Sequence, residues 1–480
     1  MKHYSQSSLG NTQHAEHLEV YSPFDLSLIG TVDLSDSSAV ERALTTADSL
    51  YKDRRVHIPT HRRLEILDRV AHIMSEQFDS LALEAAREGG KPLIDSRVEV
   101  LRAIDGIKLC IETIRTQAGK VVPMGTNLAS AGKIAFTRHE PIGVVVAISA
   151  FNHPLNLIVH QVAPAIAAGC PVIVKPAKST PISCFRFVEI LREAGLPKGW
   201  CQIIIPVDNE LSTHLATDPR VSFLSFIGSS SIGWMLRSRL APGTRCALEH
   251  GGVAPVIIAE DADIEVAIPK IVKGGLYHAG QVCVSVQRVF IHESIARKVA
   301  VKIATEASQL RVGDPTKTET DIGPLITPAE VTRVHEWVCE AVESGAELLT
   351  GGKPYTDTCY QSTILFDPPE DAAVSQKEIF GPVICIYSYS EIDEAIDRAN
   401  QLPFSFQAAV FTQSIDTALH VYNQINGSAV LVNEHTAFRV DWMPFAGQKS
   451  SGIGTGGIPY TIEDMQHEKM MVMHSDKLQG

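Results

Sequence analysis

A cysteine closes the tetrapeptide Gly280-Gln281-Val282-Cys283, between a helical pattern that ends near Ala279 and a β-branched run that opens at Arg288. A thiol on a glycine-led loop at such a junction can be presented to a cleft. A thiolate there adds to an aldehyde carbonyl, giving a thiohemiacetal whose carbon-bound hydrogen can leave as hydride. Most cysteines are small, buried and inert, so the loop carries the reading and the residue type alone does not. Glu249, in Leu248-Glu249-His250-Gly251-Gly252, stands between an apolar strand pattern and a glycine pair. Partial burial raises such a carboxyl toward the range of a general base, and the same acid can instead cap the following turn. Asn152, in Ala150-Phe151-Asn152-His153-Pro154, directly follows an expected strand. Its amide can donate to a developing oxyanion or cap the next helix, and His153 beside it is a second polar group or a plain turn residue.

Two further segments suit a dinucleotide. Gly228-Ser229-Ser230-Ser231-Ile232-Gly233 joins an expected strand to an expected helix. Backbone amides at a helix start cradle phosphate and glycines admit it closely, although the pattern is not the full G-x-G-x-x-G. Lys175-Pro176 ends another expected strand and points a cation into the same cleft or out to solvent.

These residues need a scaffold, and the chain supplies one. From 142 to 252, short β-branched runs (144–149, 172–174, 202–205, 223–227 and 247–249) alternate with helix-length segments (155–168, 181–194, 210–216 and 232–240). Near-continuous apolar strands joined by crossover helices predict an α/β fold with a parallel sheet covered on both faces, and a ligand outside the strands' carboxyl ends. Residues 35–119 read as charged amphipathic helices, for example 60–74 and 96–116. A second α/β segment spans 253–441, with strands at 255–259, 288–292 and 409–411, a helix at 295–310 and a turn-rich division at 313–324.

Forty-two basic against 55 acidic residues give a net charge of −13, which opposes a nucleic-acid footprint. No apolar run is long enough to span a bilayer, and residues 1–16 lack the apolar stretch of a secretory leader. The nine cysteines are scattered without Cys-x-x-Cys or zinc spacing, so no metal is expected and a reducing cytoplasmic setting is.

Taken together and in order, these segments resemble the NAD(P)-dependent aldehyde dehydrogenase superfamily over nearly the whole chain. The carrying texts are Phe151-Asn152-His153-Pro154, Val174-Lys175-Pro176-Ala177, Phe226-Ile227-Gly228-Ser229, Leu248-Glu249-His250-Gly251-Gly252 and Gly280-Gln281-Val282-Cys283. Val312-Gly313-Asp314-Pro315, Glu378-Ile379-Phe380-Gly381-Pro382-Val383 and Pro444-Phe445-Ala446-Gly447-Gln448-Lys449 follow. The resemblance implies a Rossmann-type cofactor domain (1–119 and 138–250), an α/β catalytic domain (251–441) and a small oligomerisation arm (120–137 and 455–480), in a homodimer or homotetramer. It implies Cys283 as nucleophile, Glu249 as base and Asn152 with the Cys283 amide as oxyanion hole. Lys175 would hold the adenosine ribose, Glu378 the nicotinamide ribose and Phe380 the nicotinamide side, with Gly228, Ser229 and Gly233 at the phosphates.

The sequence departs from the family pattern at His250, His153 and Ala446. Lys178 also stands where NAD-preferring members often carry Glu, which admits NADP beside NAD. Arg102 and Arg439 match positions used by members that oxidise small phosphorylated or phosphonylated aldehydes, such as phosphonoacetaldehyde and non-phosphorylating glyceraldehyde-3-phosphate dehydrogenases. Val282 stands where those members place an arginine. The incomplete clamp points to a smaller or less charged substrate, such as a semialdehyde, a lactaldehyde or a sulfonated aldehyde, with short anionic aldehydes expected to be preferred over neutral ones. The expected activity is oxidation of a small aldehyde to its acid. A CoA-acylating enzyme is opposed by Glu249, and a catalytically retired scaffold by the presence of all three catalytic residues. A plain cysteine hydrolase would act without nicotinamide.

Overall fold

A parallel sheet forms where the β-branched runs fall. Its strands are β1 (Val144–Ile148), β2 (Val172–Lys175), β3 (Cys201–Ile203), β4 (Val221–Ile227) and β5 (Arg245–Glu249), in the order β5-β4-β1-β2-β3. The short strand Gly452–Ile453 extends it, antiparallel to β5. Every residue of β1 is buried, as a strand covered on both faces requires. Because β1 lies between β2 and β4, the chain reverses direction across the sheet there, and a crevice opens at the carboxyl ends. The computed structural model that gives these coordinates describes residues 2–4 and 16–478. The parts of the expected cofactor domain at 1 and 5–15, and of the arm at 479–480, lie outside the described residues.

Four helices matter for the site. The helix expected from 96 begins at Leu93, just after Pro92, and runs as α1 (Leu93–Thr116). α2 (Asn156–Ala168) is buried along its whole length and stops at Gly169, whose φ of 91° suits glycine. The Glu99 carboxylate on α1 accepts from the amides of Leu155 and Asn156 (both 2.9 Å), satisfying donors that open α2. α3 (Ser230–Ser238) follows β4, and α4 (Ile264–Leu276), capped by the Asp263 side chain, leads into the cysteine loop.

The second sheet has seven strands: β6 (Pro255–Ile258), β7 (Arg288–His292), β8 (Glu347–Thr350), β9 (Thr363–Phe366), β10 (Val383–Tyr389), β11 (Gln407–Phe411) and β12 (Ala429–Val432), ordered β8-β9-β10-β7-β6-β11-β12. Only the β8–β9 pair is antiparallel. One apolar core packs around this sheet, and others pack on the two faces of the first.

A separate three-stranded sheet pairs Lys133–Pro141 with Val121–Val122 on one side and Gln466–His474 on the other. Its middle strand continues past residue 137 to Pro141, so the expected division there falls inside a strand. Val121, Phe136, Met471 and Met473 on this sheet are exposed. Sequence reading passed over a further sheet of Lys2–Tyr4, His17–Tyr21 and Leu28–Asp33, whose strands are short. Among the described residues, no helix is long and apolar enough to cross a membrane.

Candidate active site

The carboxyl ends of the first sheet face the amino ends of the second across a cavity of about 410 Å³. From the first sheet come Asn152 beyond β1, Lys175 at the end of β2, Gly228 and Ser229 beyond β4, and Glu249 at the end of β5. From the second come Val282 and Cys283 before β7, and Glu378 and Phe380 before β10. Arg102 from α1, His153 and Arg439 complete the set of expected residues on its wall.

The cysteine loop is held under strain. His278 (φ 50°), Ala279 (φ 53°) and Gly280 (φ 70°) are consecutively left-handed, a conformation that costs a non-glycine residue about 1–2 kcal/mol. A Cβ on Gly280 would lie 2.1 Å from the Gly381 carbonyl oxygen, so only glycine lets this loop approach the backbone just after Phe380. Phe380 is itself left-handed (φ 49°), and its ring meets Phe151 edge-on at 5.7 Å. The Asn152 Nδ2 donates to the Gln281 carbonyl (2.9 Å), tying the strand β1 turn to the loop. An amide nitrogen has two hydrogens, so the second remains for a ligand.

Burial, reinforced by the Glu249 charge, pushes the Cys283 thiol up, far beyond the usual thiol range, while Arg439 opposes it. Burial also raises the Glu249 carboxyl, against the pull of Arg439 and Arg102. In the resting enzyme the thiol is therefore protonated, and a carboxylate of raised basicity shares its cavity.

The two arginines differ. Arg102 grips Asp441 with both arms (3.1 and 2.5 Å), so its fork is committed inside the protein. Asp441 is pulled well below the carboxylate range; burial works the other way, and His160 and Arg102 overcome it. Arg439 lies over the Phe445 ring, and its ion pairs to Glu249 and Asp441 are long (3.7 and 3.8 Å). Its buried Nε has no hydrogen-bond partner among the described residues.

Two expected cofactor residues stand outside the cavity wall. Lys178 donates to the Val207 carbonyl (2.9 Å). A Cβ on Gly233 would lie 2.0 Å from the His250 ring, so this glycine makes room for His250 to pack against α3. The His250 Nδ1–H donates to the Gly228 carbonyl (2.8 Å), which gives this departure from the family pattern a place: it props the loop between β4 and α3.

The donor set fits a nicotinamide dinucleotide. Glu378 Oε1 is buried with no hydrogen-bond partner among the described residues, and burial pushes its carboxyl up to about 8. A Cβ on Gly251 would fall 1.6 Å from that oxygen, so Gly251 leaves the carboxyl its place at the wall. Such an acceptor suits a ribose hydroxyl. Burial, then Lys178, lowers the Lys175 ammonium to about 8. The start of α3 turns amides toward the same crevice, as a pyrophosphate needs.

Sequence reading did not single out Lys91, Glu99, His160, Asn156 or Tyr277. Lys91-Pro92 is the same dipeptide as Lys175-Pro176 and had only its helix start to mark it. Arg102 and Asp441 are 339 positions apart, so their pairing had no local signal.

The chain matches the Aldehyde dehydrogenase family over residues 11–471. It is 36% identical over 460 residues to the 3-sulfolactaldehyde dehydrogenase of Priestia aryabhattai, covering 96% of this chain and 95% of that one. Among solved structures, aldehyde dehydrogenase 21 from Physcomitrella patens, in complex with the reaction product succinate, superposes with a TM-score of 0.94 at 32% identity over 98% of each chain. The glyceraldehyde-3-phosphate dehydrogenase GapN of Methanocaldococcus jannaschii, complexed with NADP, gives 0.91 at 33% identity over 96% of this chain and all of that one.

Proposed function

The chain belongs to the aldehyde dehydrogenase family, and from that premise we infer that it oxidises a small anionic aldehyde to its acid with NAD(P), through a thioester on Cys283. The observation that carries this reading is the meeting of Cys283, Glu249 and Asn152 on one cavity whose wall also holds Arg439, whose ion pairs to Glu249 and Asp441 are long.

The residues then act in sequence. As the Cys283 sulfur forms a bond to the carbonyl carbon, the thiol proton passes to water in the open cavity and the carbonyl oxygen takes the displaced electron pair. The free Nδ2–H of Asn152 and the Cys283 amide donate to that oxyanion. Bound nicotinamide supplies the acceptor for the hydride that leaves the thiohemiacetal carbon. Glu249 then takes a proton from water as the water attacks the thioester carbon, the C–S bond breaks, and the acid and free thiolate result. When the cofactor is bound, Glu378 and Lys175 would hold its two riboses and the Gly228–Ser229 turn its pyrophosphate. Support for the anionic substrate is chemical: a guanidinium on the cavity wall that makes only long ion pairs is available to an oxyanion. Arg102, bound by Asp441, positions the wall instead.

The substrate class is tested with aldehydes of matched length. Succinic semialdehyde or lactaldehyde-like acids should exceed butanal or propanal in kcat/KM, and Arg439→Leu should erase most of that advantage, a loss of about tenfold or more for one charge-assisted hydrogen bond. Equal use of acetaldehyde, propanal and every anionic analogue contradicts the anionic reading.

NADP is expected to be accepted beside NAD. Lys178 spends one of its three donors on Val207, and its charge still opposes the repulsion that a Glu would bring to a 2′-phosphate. Lys178→Glu should weaken NADP at least tenfold more than NAD in a fluorescence titration, on the scale of one charge-assisted contact. Equal effects on both cofactors remove Lys178 from cofactor choice.

The three-part division and the arm belong to the same proposal, with the protein a cytoplasmic homodimer or homotetramer. Nine free cysteines suit a reducing compartment, and the apolar residues exposed on the arm sheet suit burial against another copy. Sedimentation at micromolar concentration should find a dimer or tetramer; a monomer contradicts the arm's role.

A further inference from the structure

His153 reaches the cavity wall without an assigned task. Behind it, the side chains of Lys91 and Glu99 form an ion pair in which each is only 1% exposed. Glu99 also accepts the amides of Leu155 and Asn156, so its charge is held in place by three donors. The Lys91 Nζ lies 2.5 Å from Nδ1 of His153.

We propose that Lys91 fixes His153 with its hydrogen on Nε2, making it an obligate donor to an acceptor oxygen on the far end of the substrate, with Lys91 as the positioning residue. An ammonium has three hydrogens and no lone pair, so the nitrogen facing it must accept. In a neutral imidazole the other nitrogen then carries the hydrogen. The ring faces Lys91, the neutral His278 ring, Arg102 and Arg439; burial first, then the neighbouring positive charges with Lys91 foremost, hold it well below the usual histidine range and therefore neutral. Burial lowers the Lys91 ammonium as well, but the adjacent Glu99 carboxylate opposes that shift and sustains the charge. Nε2 has no hydrogen-bond partner among the described residues, and the ring shares its cavity with Cys283 and Arg439.

The consequence is a rule of selection. Nε2–H can meet the lone pair of a carboxylate, sulfonate or hydroxyl oxygen, and it cannot accept from an ammonium. Aldehydes that bear an acidic or hydroxylic oxygen are favoured, and ω-amino aldehydes are rejected. The identity of the acceptor rests on the anionic-substrate reading above; the tautomer does not.

The test has two arms on the full-length enzyme. In the first, protein labelled with 15N-histidine is read by two-bond 15N–1H correlation, with the His153 signals identified by their loss in His153→Gln. The expected result is hydrogen on Nε2, bare Nδ1 and no titration from pH 6 to 8. Lys91→Met, and the charge-balanced Lys91→Met/Glu99→Gln should the first fold poorly, should release the ring into mixed tautomers. Hydrogen on Nδ1 in the parent, or titration at an ordinary histidine value, overturns the inference.

In the second arm, the kcat/KM ratio of succinic semialdehyde over 4-aminobutanal should fall at least tenfold in His153→Leu. The fall should come mainly through KM, with partial recovery in His153→Gln, whose amide can donate. An unchanged ratio overturns the donor role. A parent enzyme that shows hydrogen on Nε2 yet favours neither aldehyde overturns the substrate reading and the donor's use together.

Discussion

Cys283→Ala is expected to fold and to bind nicotinamide cofactor, yet to oxidise aldehyde at less than about one-thousandth of the parent rate. The thiol is the group that bonds to the substrate carbon, and no other nucleophile among the described cavity residues combines a strained loop with the adjacent Asn152 donor. Removing it leaves Lys175, Glu378 and the start of α3 untouched, so cofactor binding should persist. The side chain is partly exposed at the cavity, packed against a small apolar cluster that includes Val282, Val284 and Phe445. The stability loss should therefore be small, on the order of 1 kcal/mol or less. Thermal melts with and without NAD(P), run beside reduced-cofactor production, separate the two effects. Residual turnover above the stated level removes the thiol from the mechanism.

Glu249→Gln is expected to lower steady-state turnover about a hundredfold or more. The amide keeps the shape at the end of β5 and loses the basic oxygen, so water is no longer activated against the thioester. Because burial raises this carboxyl, its deprotonated form is lost as pH falls through a value above that of an ordinary glutamate. The parent rate should decline on the acid side from that higher pH, and the decline should vanish in Glu249→Gln. A variant with parent-like rates across the pH range takes Glu249 out of the chemistry.

The first sheet was legible because its strands are mainly apolar and β-branched: β1 is Val-Val-Val-Ala-Ile, and five of the seven residues of β4 are hydrophobic. The stop of α2 before Gly169 fell where expected, whereas the helix expected from 96 starts earlier, at Leu93 after Pro92. The second sheet was legible only in part. β8, β9 and β12 have four residues each, too few to show a period, and β10 carries Cys, Tyr and Ser within an otherwise apolar run. At the site, the residues with a loop or glycine beside them stood out, which is why Cys283, Glu249 and Asn152 were named; Glu378 came only with the family resemblance. What the sequence hid were partnerships. Asp441 neutralises Arg102 from 339 positions away, and Lys91 meets His153 across 62. Each contact depends on α1 crossing behind the β1 turn, which no local pattern encodes. Gly233 was read as a phosphate glycine for its spacing, while the structure gives it the work of admitting the His250 ring.

The central claim, that aldehyde carbon passes through a thioester on Cys283 before water releases it, is tested most directly by rapid mixing of Glu249→Gln with NAD(P) and a short anionic aldehyde. One equivalent of reduced cofactor should form per active site in a fast phase, followed by slow turnover. Protein quenched during that slow phase should carry the acyl mass, less the aldehyde hydrogen, on the peptide containing Cys283. Reduced cofactor formed without any burst, or a burst with no acyl group on Cys283, contradicts the account.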